Sequence, residues 1–296
     1  MENIINYYYN LYPNELNKMY NGFYFAINGY KFLLIELILP KSHILDIYEK
    51  LMKNNIGFYI IILNKDNNPV SNFDNKEYIL FQINGNDKEI LKFEEQIYIS
   101  SKSDVNWGKL WSERIDYYEI QINELAQDKR IVLESIYYYI GLAENAISIA
   151  NKYKNINENE SIIQHYRMNV PIKKGDYFNP GNMLSDVFIR NIVEYIKNSF
   201  FCEKKEDEYY LEYLKSFNYT ESSANLLLAR LLYPSYYFDI FDEIILNDKD
   251  EDELILIINL CYDFENLIIK IYDLLQKKYP ILNIDWIRKR TINLLR

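Results

Sequence analysis

Residues 23–27 and 30–39 are two apolar runs separated by Asn28-Gly29, and that dipeptide fixes how the fold begins. A two-residue hairpin turn that matches strand twist needs positive φ at both central positions, which Asn and Gly tolerate best. Ser42 then reads as the cap of a helix running to Asn54, with Ile44, Leu45, Ile47, Tyr48, Leu51 and Met52 on its apolar side. Two more strands follow: a buried one over 57–63 and another over 77–83, joined by a turn in 64–69. Past Asn84-Gly85-Asn86 the hydrophobic period lengthens, and amphipathic helices are expected near 104–125, 129–153, 186–201, 206–216, 220–246, 252–278 and 283–295, with breaks at Pro234 and Pro280. The order is therefore α+β in two lobes. A small lobe, residues 1–84, carries an antiparallel sheet and one helix, and a larger, mainly helical lobe, residues 85–296, holds one β-hairpin.

That hairpin surrounds a loop of suggestive layout, His165-Tyr166-Arg167-Met168-Asn169, followed by Asp186 and then Arg190-Asn191. In kinase-fold enzymes a loop H-x-D-x-x-x-x-N supplies an Asp that orients the hydroxyl nucleophile and an Asn for metal, and a later Asp holds magnesium. Here Arg167 stands where the first Asp belongs, and Ile172 falls where the Asn would be. Asp186 keeps a position suited to the later, metal-holding Asp. In a second register, on Gly175-Asp176 and Gly181-Asn182, Asp186 follows only four positions after Asn182. Two strands and a turn take on the order of eight residues, so 175–182 reads instead as a turn-rich loop within the hairpin. His165 reads as a structural histidine rather than a base.

The small lobe lacks further parts of an active site. With 8 glycines in the whole chain there is no G-x-G-x-x-G loop to cover phosphates. The middle of the strand before the first helix, where a phosphate-pairing Lys would sit, is Leu33-Leu34-Ile35; Lys31 stands at its start, and Glu49 in the helix is its candidate partner.

Four stretches carry a likeness to a known family. They are Trp107-Gly108-Lys109-Leu110-Trp111 with Asp116-Tyr117-Tyr118-Glu119; Tyr138-Tyr139-Ile140-Gly141-Leu142-Ala143-Glu144-Asn145; Arg190-Asn191-Ile192-Val193-Glu194-Tyr195-Ile196 with Phe200-Phe201; and Leu228-Ala229-Arg230-Leu231-Leu232-Tyr233-Pro234-Ser235. In this order they resemble the YutH-type spore coat proteins, relatives of the CotS proteins and more distantly of the aminoglycoside and choline phosphotransferases. The resemblance implies a protein-kinase-like fold and association with the bacterial endospore coat, and it implies no particular reaction. The family pattern places Asp-His before an Arg-Asp pair; this chain has Asp186-Val187 and Arg190-Asn191, so the second acid is an amide.

Composition narrows the classes further. Hydrophobic residues at 49% and charged residues at 26% suit a folded globular chain. Residues 56–63 form the longest uncharged apolar run, too short to span a membrane, and no signal peptide opens the sequence. A net charge of −10 opposes nucleic-acid binding. Cys202 and Cys261 stand alone and read as buried thiols, with no zinc site and no disulfide framework. The acidic run 247–253 lacks the Gly and Glu of a calcium loop and reads as a solvated turn. Thirty tyrosines fit the codon usage of an AT-rich genome or, alternatively, cross-linking in a coat layer.

The reading that joins these observations is a spore coat or coat-assembly protein on a degenerate kinase-like scaffold. It has no catalytic residue: His165, Arg167 and Ile172 are the degenerate loop positions, and Asp186, Asn191, Lys31 and Glu49 are remnants of a metal or nucleotide site. No metal or other cofactor is expected. The alternative is an active small-molecule or protein kinase with an unorthodox site using Asp186, for which ATP and Mg would be the cofactors. A third class is an interaction module whose nucleotide cleft is filled by side chains. The partners implied are other spore coat proteins, with neither nucleic acid nor a membrane span involved. The location implied is the mother-cell cytoplasm, then the spore coat.

Overall fold

The computed structural model describes residues 2–19, 21–54, 59–83, 97–100, 106–153, 161–165, 179–247 and 249–287. The chain forms two compact units, one made of 1–103 with 161–188 and the other of 104–160 with 189–296. The hairpin strands that the sequence placed in the second lobe thus group with the N-terminal sheet.

The first unit begins with α1 (Glu2–Tyr9), followed by β1 (Asn17–Met19), β2 (Gly22–Ile27), β3 (Tyr30–Glu36), α2 (Lys41–Lys53), β4 (Tyr59–Ile62), β5 (Ser71–Phe73) and β6 (Lys76–Ile83). These strands make an antiparallel sheet of order β1-β2-β3-β6-β4, with β5 also paired to β6. The Asn28-Gly29 turn forms as the sequence requires, with φ of 51° and 83°. Central strands are apolar on both faces because both faces are covered. Leu33, Ile35, Ile79, Phe81 and Ile83 pack under Ile44, Ile47 and Leu51 of α2. Phe25, Phe32, Leu34, Tyr78 and Leu80 pack under Ile4 and Ile5 of α1, a helix the sequence reading missed.

Two expectations are corrected here. The run 57–63 was read as a buried strand, but β4 is an edge strand with Ile60 and Leu63 exposed. Helix α2 starts after Pro40, with no side-chain cap from Ser42. His43, at the start of α2, is half-buried and its Nε2 lies 3.1 Å from the carbonyl oxygen of Met183.

A second antiparallel sheet in this unit joins β7 (Ile97–Ser100), β8 (Ser161–His165) and β9 (Met183–Val187). Residues 186–187 therefore extend a strand, where the sequence pattern had started a helix. The turn 180–182 before β9 is a 3-10 turn capped by Asn179, whose side chain accepts from Gly181 N at 2.9 Å.

The second unit is helical: α3 (Trp107–Leu125), α4 (Arg130–Lys152), α5 (Ile189–Glu203), α6 (Asp207–Lys215), α7 (Glu221–Leu232), α8 (Ser235–Asn247) and α9 (Ile255–Gln276). Pro234 separates α7 from α8, as its missing N–H demands. Gly108 lets α3 approach α4 closely, since a Cβ there would meet the Asn151 side chain at 2.1 Å. Cys202 is exposed and Cys261 half-exposed, so neither is the buried thiol expected. Asp239 and Asp242 hold Arg114, with Nη2 at 3.7 and 2.5 Å.

Helix α4 has no cap of its own at Lys129. Glu251 supplies one from the acidic run: its Oε2 accepts from Ile131 N at 2.8 Å and Val132 N at 3.3 Å. A carboxylate there satisfies orphan donors and opposes the helix dipole. Glu251→Ala is expected to lower unfolding free energy by about 1 kcal/mol in urea titration, with Glu251→Gln losing less. Equal stability of all three proteins would show the cap to be idle.

Candidate functional site

In protein kinases the phosphate-binding Lys lies on the third strand and pairs with a Glu of the following helix, beneath a glycine-rich loop that joins the first two strands. The corresponding places in this chain are β3, α2 and the β1–β2 connection. Met19 pairs directly with Gly22 in register, leaving two residues between the strands, too few for a loop that covers phosphates. On β3, Leu33 and Ile35 are fully buried against α2. Lys31 shares their face, because side chains alternate along a strand, but it lies at the strand's start opposite Ala26 and Ile83. Glu49 falls on the outer side of α2, away from Ile47 and Leu51, and its ion pair is with Lys53 at 3.6 Å.

The hairpin closes this face. Ile163 of β8 and Met183 of β9 join the cluster of Leu33, Ile35, Ile44 and Ile47. The 180–182 turn comes so close to β3 that a Cβ on Gly181 would sit 2.5 Å from Ile35 Cγ2. Buried amides fix it in place. Asn21, in the β1–β2 connection, donates from Nδ2 to Glu36 O at 3.2 Å and Gly181 O at 3.3 Å, and its Oδ1 accepts from Asn179 Nδ2. Amide pairs with all partners inside the protein are geometrically specific, since each unmet group would cost about 1–3 kcal/mol.

His165 and Asp186, the two loop residues within the described strands, are both buried. His165 pairs with Met183 and Asp186 with Ile162, so the two side chains leave opposite faces of the hairpin. They do not converge on one reacting atom. The Asp186 carboxylate accepts from Val187 N at 2.8 Å. Asn191 is buried in α5 of the second unit. Arg167, Ile172 and Asp176 lie outside the described residues. Among the described residues, no group of three or more His, Cys, Asp or Glu side chains is placed to hold a metal ion.

Sequence reasoning did not anticipate the buried charges of the helical unit. Arg230 Nη2 donates to Glu194 Oε1 at 2.8 Å with both side chains under a tenth exposed, and its guanidinium lies 4.8 Å from the Trp107 ring. Trp111 stacks on Tyr233 at 4.4 Å, and Lys197 donates to the carbonyls of Arg230 and Tyr233 at 2.6 Å each. Tyr139 stacks on Tyr237 at 3.8 Å. The sequence stretches 107–111, 138–145, 190–196 and 228–235 thus owe their composition to one aromatic and ionic core. Arg and Glu at helix positions otherwise apolar on every side, as in Leu226-Leu227-Leu228-Ala229-Arg230-Leu231-Leu232, were the available signal.

The strand order, α2 between β3 and β4, the β8–β9 hairpin and the helical second unit define a phosphotransferase-like fold of the protein-kinase kind. An aminoglycoside phosphotransferase from Alicyclobacillus acidocaldarius superposes with a TM-score of 0.59 at 10% identity, over 93% of this chain and 96% of that one. A spectinomycin phosphotransferase superposes with a TM-score of 0.50 at 9% identity, over 94% and 93%. At such identities the likeness is one of fold. The chain belongs to the family described as "Spore coat putative kinase YutH", whose model matches residues 2–261. It is 26% identical over 185 residues to the endospore coat-associated protein YutH of Bacillus subtilis (strain 168). That match takes in 55% of this chain and 54% of the relative, so the chain spans about half the length of the relative it matches.

Proposed function

We propose that this chain is a spore coat or coat-assembly protein that uses the phosphotransferase fold as a scaffold and no longer transfers phosphate. The observation that carries this reading is the filled inner face of the N-terminal sheet. Leu33 and Ile35 occupy the place of the phosphate-pairing Lys, and Ile163, Met183 and the Gly181 turn pack against them. A lysine there would bury an unpaired ammonium, which apolar surroundings strongly disfavour. In the sequence, Arg167 and Ile172 also replace the acid and the amide that the reaction needs.

Coat location rests on the family and on the coat association named for the Bacillus subtilis relative. No helix among the described residues is long and apolar enough to cross a membrane. Synthesis in the mother-cell cytoplasm and deposition on the forespore, beside other coat proteins, is the route proposed. A fluorescent fusion is expected to form a shell around the forespore in sporulating cells; a diffuse signal without sporulation-dependent expression overturns the coat assignment.

For the chemistry, ATP with magnesium is expected to leave the melting temperature unchanged, because a ligand stabilises a protein only by binding its native state. No phosphate release is expected in a turnover assay. Turnover that disappears in Asp186→Ala would establish the alternative, a working kinase with an unorthodox site.

A further inference from the structure

Strand β4 ends the N-terminal sheet, and among the described residues no strand pairs with its outer side. Its one partner is β6, with Tyr59 opposite Ile83 through Ile62 opposite Leu80 in unbroken register. An edge strand presents a row of main-chain N–H and C=O groups, and only another extended chain can pair with the whole row. Folded chains commonly guard such an edge with a charged side chain, a proline, a bulge or a very short strand. At the other end of this sheet β1 is three residues long and carries Lys18. Residues 54–64 carry neither charge nor proline, and β4 has no bulge.

The side chains point the same way. Ile61 packs against the cluster under α2 and Ile62 against the cluster under α1, so both layers of core run out to β4. Ile60 is nevertheless 45% exposed and Leu63 52% exposed. A strand that joined β4 would extend both layers, and it would have to be apolar on both faces to do so. Residues 59–63 themselves have that composition.

We infer that β4 is the contact between two copies of this chain, paired antiparallel across a two-fold axis so that their sheets become one. An axis normal to the sheet keeps each face on its own side. In the two registers of greatest overlap Ile60 therefore lies opposite Ile60 or Ile62 of the second copy, apolar against apolar. Charge selects the same contact. Each copy carries a net charge of −10, so association is opposed wherever charged surfaces meet. An uncharged edge brings two copies together without setting like charges face to face. This pairing does not depend on whether the fold transfers phosphate.

The test is sedimentation of the full chain across a series of concentrations, combined with hydrogen exchange of its backbone amides. A reversible monomer–dimer equilibrium is the expected result, with exchange at residues 59–63 slowing as the dimer forms. Ile60→Lys and Leu63→Lys each place a charge on the edge and are expected to weaken dimerisation at least about tenfold while the protein still melts cooperatively. A dimer that both lysine variants leave intact, or that forms without slowing exchange at 59–63, lies elsewhere on the surface and overturns the proposal. Growth beyond a dimer also overturns it, because two-fold pairing uses up both edges. So does a monomer at every concentration. If the edge amides of such a monomer slow only when a lysine-flanked peptide of residues 58–64 is added, the edge takes a strand from another protein instead.

Discussion

Glu194→Ala is expected to lower unfolding free energy by about 3–5 kcal/mol, because it leaves the Arg230 guanidinium buried without its anion. The whole stability of a domain is of the order of 5–15 kcal/mol, so much of the helical unit's margin goes with one carboxylate. Stacking over Trp107 does not replace the anion: a cation over a ring contributes roughly 0.5–2 kcal/mol. The double variant Glu194→Met, Arg230→Met removes both charges together and should recover most of the loss, since apolar replacement of a whole buried pair is often neutral. Urea unfolding followed by helical circular dichroism measures both. A loss below about 1 kcal/mol in Glu194→Ala would mean that the pair contributes little.

High pH is expected to unfold the protein cooperatively, and its buried tyrosines are the reason. Burial pushes the Tyr233 phenol up to about 12, and burial likewise raises Tyr118, Tyr139, Tyr219, Tyr236 and Tyr237 above their ordinary value. A phenol whose pKa is raised by folding stabilises the native state fully below its unfolded pKa of 10.0. Above that pH the unfolded chain releases protons that the folded chain retains, so stability falls until the folded pKa is reached. For Tyr233, 3% exposed, the two-unit difference corresponds to about 3 kcal/mol. Tyrosinate absorbance should rise in two stages, the second coinciding with loss of helical signal above pH 10. A single smooth ionisation with the helices intact would contradict the burial argument.

The two effects also show which parts of this protein were legible in its sequence. Local pattern determined the Asn28-Gly29 hairpin, the helix after Pro40, the break at Pro234 and the long helices α3 and α4, because each depends on residues a few positions apart. The family likeness was legible too, carried by 107–111, 138–145, 190–196 and 228–235. Their physical meaning was not. Only the packed helices bring Trp107, Glu194 and Arg230 together, and no pairwise spacing in the chain states that contact.

The candidate site divides in the same way. Arg167, Ile172 and the missing glycine-rich loop could be read directly, since each is a residue identity at a counted position. That Leu33 and Ile35 are covered by the hairpin could not, because Asn21 and Gly181 meet across 160 residues of chain. Nor could the sequence show that Glu49 faces Lys53, that residues 59–62 form an exposed edge or that Glu251 caps α4. The sequence by itself settled the first hairpin, the long helices and which chemical groups the loop lacks, though it left α1 unread and began a helix where β9 ends. The tertiary structure alone decided which faces are buried, which charges are paired and what occupies the sheet face, because burial and pairing depend on neighbours that chain order leaves distant.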